Sequence, residues 1–278
     1  MNQTIITDIT QGLTTAFIDH TVSSNLAYRP QFVSNNYKEG RKVISSIEDE
    51  LLSCEQFAIS VAFITMSGIT PLLQTLKELE KRGIPGRILT TDYLTFSDPK
   101  ALRKLEEFSN LHVKMYVTYQ TEEGFHTKGY IFKKEEMYRI IVGSSNMTLS
   151  ALTVNREWNT RIVSTEQGEY AQSVLTEFED LWNSPQAIEF EQFIDSYTEN
   201  YTRNKIIRKQ KELARQEQIP SLEAYRLQPN SMQTGFINNL QKIYDAGEDK
   251  ALLISATGEC VIMMSGRKSA RKSRGSAA

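Results

Sequence analysis

Apolar residues in Lys38–Leu52 recur at helical spacing, with Val43, Ile44, Ile47, Leu51 and Leu52 on one face. Phe57–Ile64 follows as a nearly unbroken apolar run, short enough for a strand buried on both sides. Pro71–Arg82 returns to helical spacing and is stopped by Gly83, and Arg87–Thr91 is the next strand. A helix over Asp98–Phe108 has Ser97 as its N-cap and Pro99 in its first turn; Leu111–Thr118 is again a strand. Tyr138–Val142 and Glu157–Val163 predict further strands, Glu166–Trp182 a helix packed back on them, and Met1–Ile18 an N-terminal helix. Strands alternating with helices predict an α/β fold with a mixed, mostly parallel sheet flanked by helices. Past Ser184-Pro185 the texture changes. Glu189–Gln218 is charged and nearly free of Gly and Pro, which predicts a helical C-terminal extension ending before Pro220. The expected division is a body over 1–184, a helical linker over 185–220, and a separate segment from 221 onward.

The chemistry concentrates in Phe125–Asn159. His126 and Lys128 stand two apart, the turn Gly143-Ser144-Ser145-Asn146 ends twenty residues after the histidine, and Glu157 comes eleven residues later. Two strand residues two apart project from one face, so His126 and Lys128 can address one phosphate while Phe125, Thr127 and Gly129 point away. Lys133–Met137 reads as a polar hairpin, and the returning strand delivers the glycine-serine turn to the same sheet end. Each residue type suits one task in phosphoryl transfer. An imidazole can attack phosphorus or protonate a leaving oxygen, Lys128 and Asn146 can hold non-bridging oxygens, and a carboxylate can orient the imidazole. Gly143 permits close backbone approach, and Ser144 and Ser145 offer substrate-binding donors. A second H-x-K pair, His112-Val-Lys114, has no Gly-Ser-x-Asn at the matching distance and reads as part of a neighbouring strand. Arg139, Arg156 and Arg161 read as ordinary solvated charges.

His126-Thr-Lys128 followed by Gly143-Ser-Ser-Asn146 resembles the phospholipase D superfamily signature, H-x-K then G-S-x-N. The usual signature also places an aspartate five residues after the lysine, where this chain has Lys133. That departure, with Glu157 following, makes the segment more similar to the nuclease branch typified by metal-independent, BfiI-like restriction endonucleases. The resemblance implies a phospholipase D-like fold and no metal or other cofactor. It implies His126 as nucleophile or general acid, Lys128 and Asn146 as phosphate binders, and Glu157 as the carboxylate that orients the histidine. It also implies two histidines per active site. The chain has three, and His20 and His112 lie outside a complete motif, so a homodimer sharing one site across its two-fold axis is expected.

Composition refines this picture modestly. The net charge of −2 does not announce a nucleic-acid binder, and five of the basic residues lie in the last twelve. Phe125–Val163, however, holds six Lys/Arg against three Glu, a local basic patch suited to DNA. Cys54 and Cys260 are too few for a disulfide framework or a zinc site, and no long apolar run suggests a membrane span; the expected setting is cytoplasmic. Leu227–Gln233, then Lys250–Gly258, resembles the opening of a DEAD/DEAH-type superfamily 2 helicase, with Gln233 as the adenine reader and Gly258 in a phosphate loop. Glu259-Cys-Val-Ile-Met-Met replaces the glycine, lysine and threonine that would cradle phosphates. The helicase part is therefore expected to be truncated, with a disordered tail over 259–278. No ATP binding is expected, and an ATP titration followed by calorimetry should show no saturable heat. The functional expectation is a DNA nuclease acting through a phosphohistidine. The alternatives are a non-catalytic dimeric nucleic-acid-binding module, and a phospholipid or other phosphodiester hydrolase with an apolar cleft.

Overall fold

The computed structural model describes residues 3–11, 25–118, 124–217, 238–239, 241–243, 245–247, 250–254 and 261–265. The chain divides into two compact units, 1–212 and 213–278. The first is built on an eight-stranded sheet. Its strands are β1 (Gln31–Val33), β2 (Gln56–Val61), β3 (Gly86–Thr91), β4 (Leu111–Tyr116), β5 (Lys128–Lys134), β6 (Met137–Gly143), β7 (Asn159–Thr165) and β8 (Ala187–Glu189), in the spatial order β1-β7-β6-β5-β2-β3-β4-β8.

The mixed α/β class is as expected, but the parallel part is smaller. Only β2–β3 and β3–β4 pair in parallel; the other five neighbouring pairs are antiparallel. The two parallel pairs are those joined by helical crossovers. α3 (Met66–Ile69) and α4 (Leu73–Lys81) supply the crossover from β2 to β3, and α5 (Pro99–Glu106) that from β3 to β4. Beyond β4 neighbouring strands of the sheet return antiparallel instead, and the stretch from β6 to β7 holds the short α6 (Leu149–Thr153). β5 and β6 are closed by a turn at Glu135-Glu136, with Glu135 at φ 54°. β2 lies inside the sheet and is buried on both faces, which is why its sequence does not alternate.

One face carries the main core, where α2 (Val43–Ser53), α4, α5 and the start of α8 (Phe190–Glu217) pack on Phe57, Ile59, Val61, Tyr130 and Phe132. The opposite face is covered by α7 (Glu169–Trp182), whose Phe178 and Trp182 pack with Ala58, Leu89 and Ile131. α1 (Gln3–Gln11) sets Ile9 beside Met137 and Val163. The rest of the expected N-terminal helix lies outside the described residues.

Several expectations shift. The expected helix over 38–52 begins at Val43, because Tyr37–Glu39 forms a 3-10 turn that closes on Gly40 at φ 66°. The cap of α5 is Asp98, whose carboxylate accepts from the Lys100 N–H; Ser97 is fully buried, and its hydroxyl receives the Ile64 N–H instead. The body does not stop at residue 184. β8 extends the sheet, and Phe193, Ile194 and Tyr197 of α8 are buried, so a purely linking role for 185–220 fails at its first turns. In the second unit, β9 (Lys250–Ile254) pairs antiparallel with β10 (Val261–Ser265), which lies within the expected disordered tail. Gln233, Gly258 and 266–278 lie outside the described residues, as does His20. No helix among the described residues is long and apolar enough to cross a membrane.

Candidate active site

The antiparallel arrangement brings four chain ends to one edge of the sheet. The C-terminus of β2, the N-terminus of β5, the C-terminus of β6 and the N-terminus of β7 meet there, in the registers Val61↔Lys128, Gly129↔Val142 and Gly143↔Asn159. His126 precedes β5 rather than lying in it, yet the expected shared face holds. Lys128 Nζ lies 2.7 Å from His126 Nδ1 and donates to the His126 carbonyl at 2.8 Å. Phe125 turns the other way, buried and stacked on Tyr116 at 5.3 Å.

An ammonium can only donate, so Nδ1 of a neutral His126 accepts from Lys128 and the ring proton sits on Nε2. The imidazole is exposed and meets the edge of Phe63 at a centroid distance of 6.0 Å. Lys128 is 9% exposed, and burial pulls its pKa below the ordinary lysine value while Glu157 opposes that shift. His126 is likewise pulled below 6.5, by desolvation first and by the Lys128 charge second. Because the protonated ring is the disfavoured form, neutral imidazole persists to lower pH than in an ordinary histidine. A histidine NMR titration should place the His126 midpoint below 6.5, and Lys128→Met should move it partway back up. A downward move would contradict the assigned cause.

Asn146 is aimed by the backbone. The Phe63 N–H donates to its Oδ1 at 3.1 Å, which fixes the amide's orientation and leaves its nitrogen with no hydrogen bond among the described residues. Glu157 stands just before β7. Its Oε2 accepts from the Ser144 hydroxyl, which in turn receives the Trp158 N–H at 3.0 Å. Glu157 therefore does not contact His126 within one chain; the cation it acts on is Lys128. Ser145 departs from expectation more sharply. It is fully buried, its hydroxyl accepts from Asn159 Nδ2 at 2.9 Å, and its carbonyl accepts from Tyr130 at 3.0 Å. Neighbouring residues face opposite ways, so with Ser144 outward Ser145 braces the turn from within rather than offering a donor to substrate.

Gly143 is required by packing. A Cβ there would lie 2.2 Å from the Trp158 carbonyl and 2.5 Å from Asn159 Cα. Gly143→Ala should force β6 and β7 apart at the site and cost about 1–3 kcal/mol, read as a loss in denaturant midpoint. An unchanged midpoint would show that the strands yield freely.

Other basic candidates are accounted for elsewhere. Lys133, where the family aspartate would stand, pairs with Glu166 at 2.7 Å. It lies five strand residues, roughly 17 Å, from Lys128. His112 is on β4, separated from β5 by β2 and β3 and so not on a neighbouring strand, and Lys114 binds Glu189 and the Trp182 ring. Arg139 and Arg161 are not solvated charges. Both are largely buried, and both guanidiniums meet Oε1 of Glu50, itself 3% exposed. Arg156 is exposed beside Glu157. Among the described residues no three His, Cys, Asp or Glu side chains converge as a metal site.

A cavity of about 460 Å³ opens beside His126, on the α7 side of the sheet. Ile131, Val142, Val174, Phe178 and Leu181 line it, with Thr127 at the mouth. Sequence reasoning did not anticipate this apolar cleft, since it depends on how α7 seats on β5 and β6. It also missed Phe63, though the predicted strand over 57–64 placed that residue at a strand end where sites form.

Residues 49–182, which span this whole constellation, match the family model described as cardiolipin synthase, PLD-like domain. That segment is similar to a phospholipase D-like domain. Solved structures with a similar fold include Nuc, a phospholipase D family member from Salmonella typhimurium, at 18% identity and TM-score 0.45, covering 58% of this chain and 99% of that one. NucT from Helicobacter pylori is similar at 15% identity and TM-score 0.46, with coverages of 58% and 99%. Phosphatidylserine synthase from Haemophilus influenzae is similar at 15% identity and TM-score 0.45, with coverages of 66% and 46%. No curated protein sequence matches the chain. The matched segment includes His126, Lys128, Asn146 and Glu157, and the first compact unit extends beyond it on both sides.

Proposed function

We propose that this protein is a nuclease that cleaves DNA phosphodiesters through a phosphohistidine. The observation that carries the reading is the 2.7 Å contact of Lys128 with His126 at a sheet end that Asn146 and Glu157 also reach. An incoming phosphate draws the Lys128 ammonium from Nδ1 to a non-bridging oxygen, and the Asn146 amide nitrogen holds a second one. Solvent carries the ring proton from Nε2 to the vacated Nδ1, and Nε2 becomes the nucleophile. Its lone pair forms the N–P bond as the bond to the leaving oxygen breaks. His126 of the partner subunit, entering the step with both ring nitrogens protonated, supplies the proton to that oxygen. Water then attacks phosphorus, giving a proton back to His126 of the partner subunit, and the N–P bond breaks. One motif histidine per chain motivates the homodimer.

The test is cleavage of DNA in excess chelator by wild type and His126→Ala, with acid-labile radiolabel on the protein and solution mass in parallel. Metal-independent cleavage by a dimer, lost in the variant, is expected. Cleavage by a strict monomer, or undiminished cleavage by His126→Ala, would overturn the mechanism. A second reading is favoured by the apolar cavity beside His126: hydrolysis of a phospholipid, with an acyl segment against Val142, Val174 and Phe178. Headgroup release from phospholipid vesicles without DNA cleavage would select it.

A further inference from the structure

We propose that Trp158 and Phe32 form a stacking platform for an unpaired base of the scissile strand, so that the substrate is single-stranded or locally unpaired DNA. The inference rests on the nuclease reading and names its substrate more closely.

Trp158 follows Glu157 directly and is 73% exposed, while Phe32 on β1 is 60% exposed. Large aromatic side chains usually hide; these two lie edge to face at 6.0 Å, at 76° to one another. The register explains the pairing, because Phe32 opposes Thr160, two residues beyond Trp158 on the same face. The Trp158 backbone is clamped on both sides. Its N–H donates to the Ser144 hydroxyl at 3.0 Å and its carbonyl accepts the Ser144 N–H at 3.1 Å. The indole is thus anchored to the glycine-serine turn that precedes Asn146, with its polar backbone satisfied and its ring free. An exposed ring tied to a phosphate-holding turn has the two parts that recognise a nucleotide: a cationic seat for the phosphate and a flat apolar surface for the base. Aromatic residues also lie on the histidine side, where Phe63 meets His126 and Phe96, 43% exposed, meets Phe63 edge to face at 5.1 Å.

A base inside a duplex already has stacking partners and cannot reach such a ring; only an extruded or unpaired base can. A second copy of the chain is the competing occupant. The exposed apolar surface here is Phe32, Trp158 and Val142, well short of the roughly 800 Å² per partner of a standard interface.

The experiment measures binding, so that it does not depend on turnover. Full-length protein carrying His126→Ala, with and without Trp158→Ala or Trp158→Phe, is titrated with a single-stranded oligodeoxynucleotide and with an abasic strand of equal length. The ratio of base-bearing to abasic affinity should fall by about ten- to a hundred-fold in Trp158→Ala and be largely restored by phenylalanine. Addition of the base-bearing strand should quench Trp158 emission, whereas Trp182 is buried. An unmoved ratio would overturn the platform, even if wild type cleaves DNA. Conversion of a dimer to a monomer by Trp158→Ala would assign the surface to a second copy and overturn it equally. If wild type binds neither strand, the nuclease reading fails first and the platform with it.

Discussion

Replacing His126 with alanine is expected to lower the rate of phosphodiester cleavage by at least about a thousand-fold, the scale seen when an acid, base or nucleophile is removed. Stability should barely change. The ring is exposed, and its described contacts are the Lys128 ammonium and the edge of Phe63. The two kinetic parameters should separate. In the free site Lys128 spends a hydrogen bond on Nδ1, which a phosphate must displace; with alanine the ammonium is already available. Cleavage should therefore fall through kcat, while KM for the phosphodiester stays level or drops. Single-turnover kinetics on wild type and variant would check this. A rise in KM with kcat preserved would mean that His126 binds substrate rather than reacting with it.

Glu50→Ala is expected to be the most damaging change for stability, at about 3–5 kcal/mol. The carboxylate is buried at the end of α2's inner face and neutralises two guanidiniums, those of Arg139 on β6 and Arg161 on β7. Its loss leaves two cations in a low-dielectric core facing each other. The Nε atoms of both arginines are already buried without a hydrogen-bond partner, so the cluster has little slack. At this chain size the melting temperature should drop by roughly 10 °C. Glu50→Leu with Arg139→Met and Arg161→Met should regain most of the loss, because an all-apolar replacement leaves no charge unpaired. If Glu50→Ala alone costs less than about 1 kcal/mol, water must reach the cluster. β6 and β7 also carry Ser144 and lead from Glu157, so the variant should lose activity before it unfolds globally.

The sequence made the local parts legible and left the pairwise ones hidden. The H-x-K spacing alone put His126 and Lys128 on one face, and the structure has their side chains in contact. The G-S-S-N turn and its strand were visible for the same reason: periodicity and glycine act over a few residues. What could not be read depends on partners distant in the chain. Ser145 looked like its neighbour Ser144 until Asn159 claimed its hydroxyl. Arg161 looked solvated because its counter-ion is 111 residues away. The mostly parallel sheet was an extrapolation from the first half of the chain, where helical crossovers join β2, β3 and β4; the strands after β4 pair antiparallel. Glu157 was assigned to the imidazole from resemblance; in one chain its hydrogen bond goes to Ser144.

The Phe63 hydrogen bond to Asn146 spans 83 residues, whereas His126, Lys128, Ser144 and Glu157 are all carried by strands that follow one another in the chain. Antiparallel neighbours with short links close early in folding, because little chain entropy is lost in bringing them together. The histidine and lysine can therefore meet before the domain is complete. Asn146 acquires its direction only when β2 docks beside β5 and brings the Phe63 amide into reach. A partly unfolded chain would thus hold the His126–Lys128 pair without the oriented amide. Docking of β2 becomes the step that completes the proposed site.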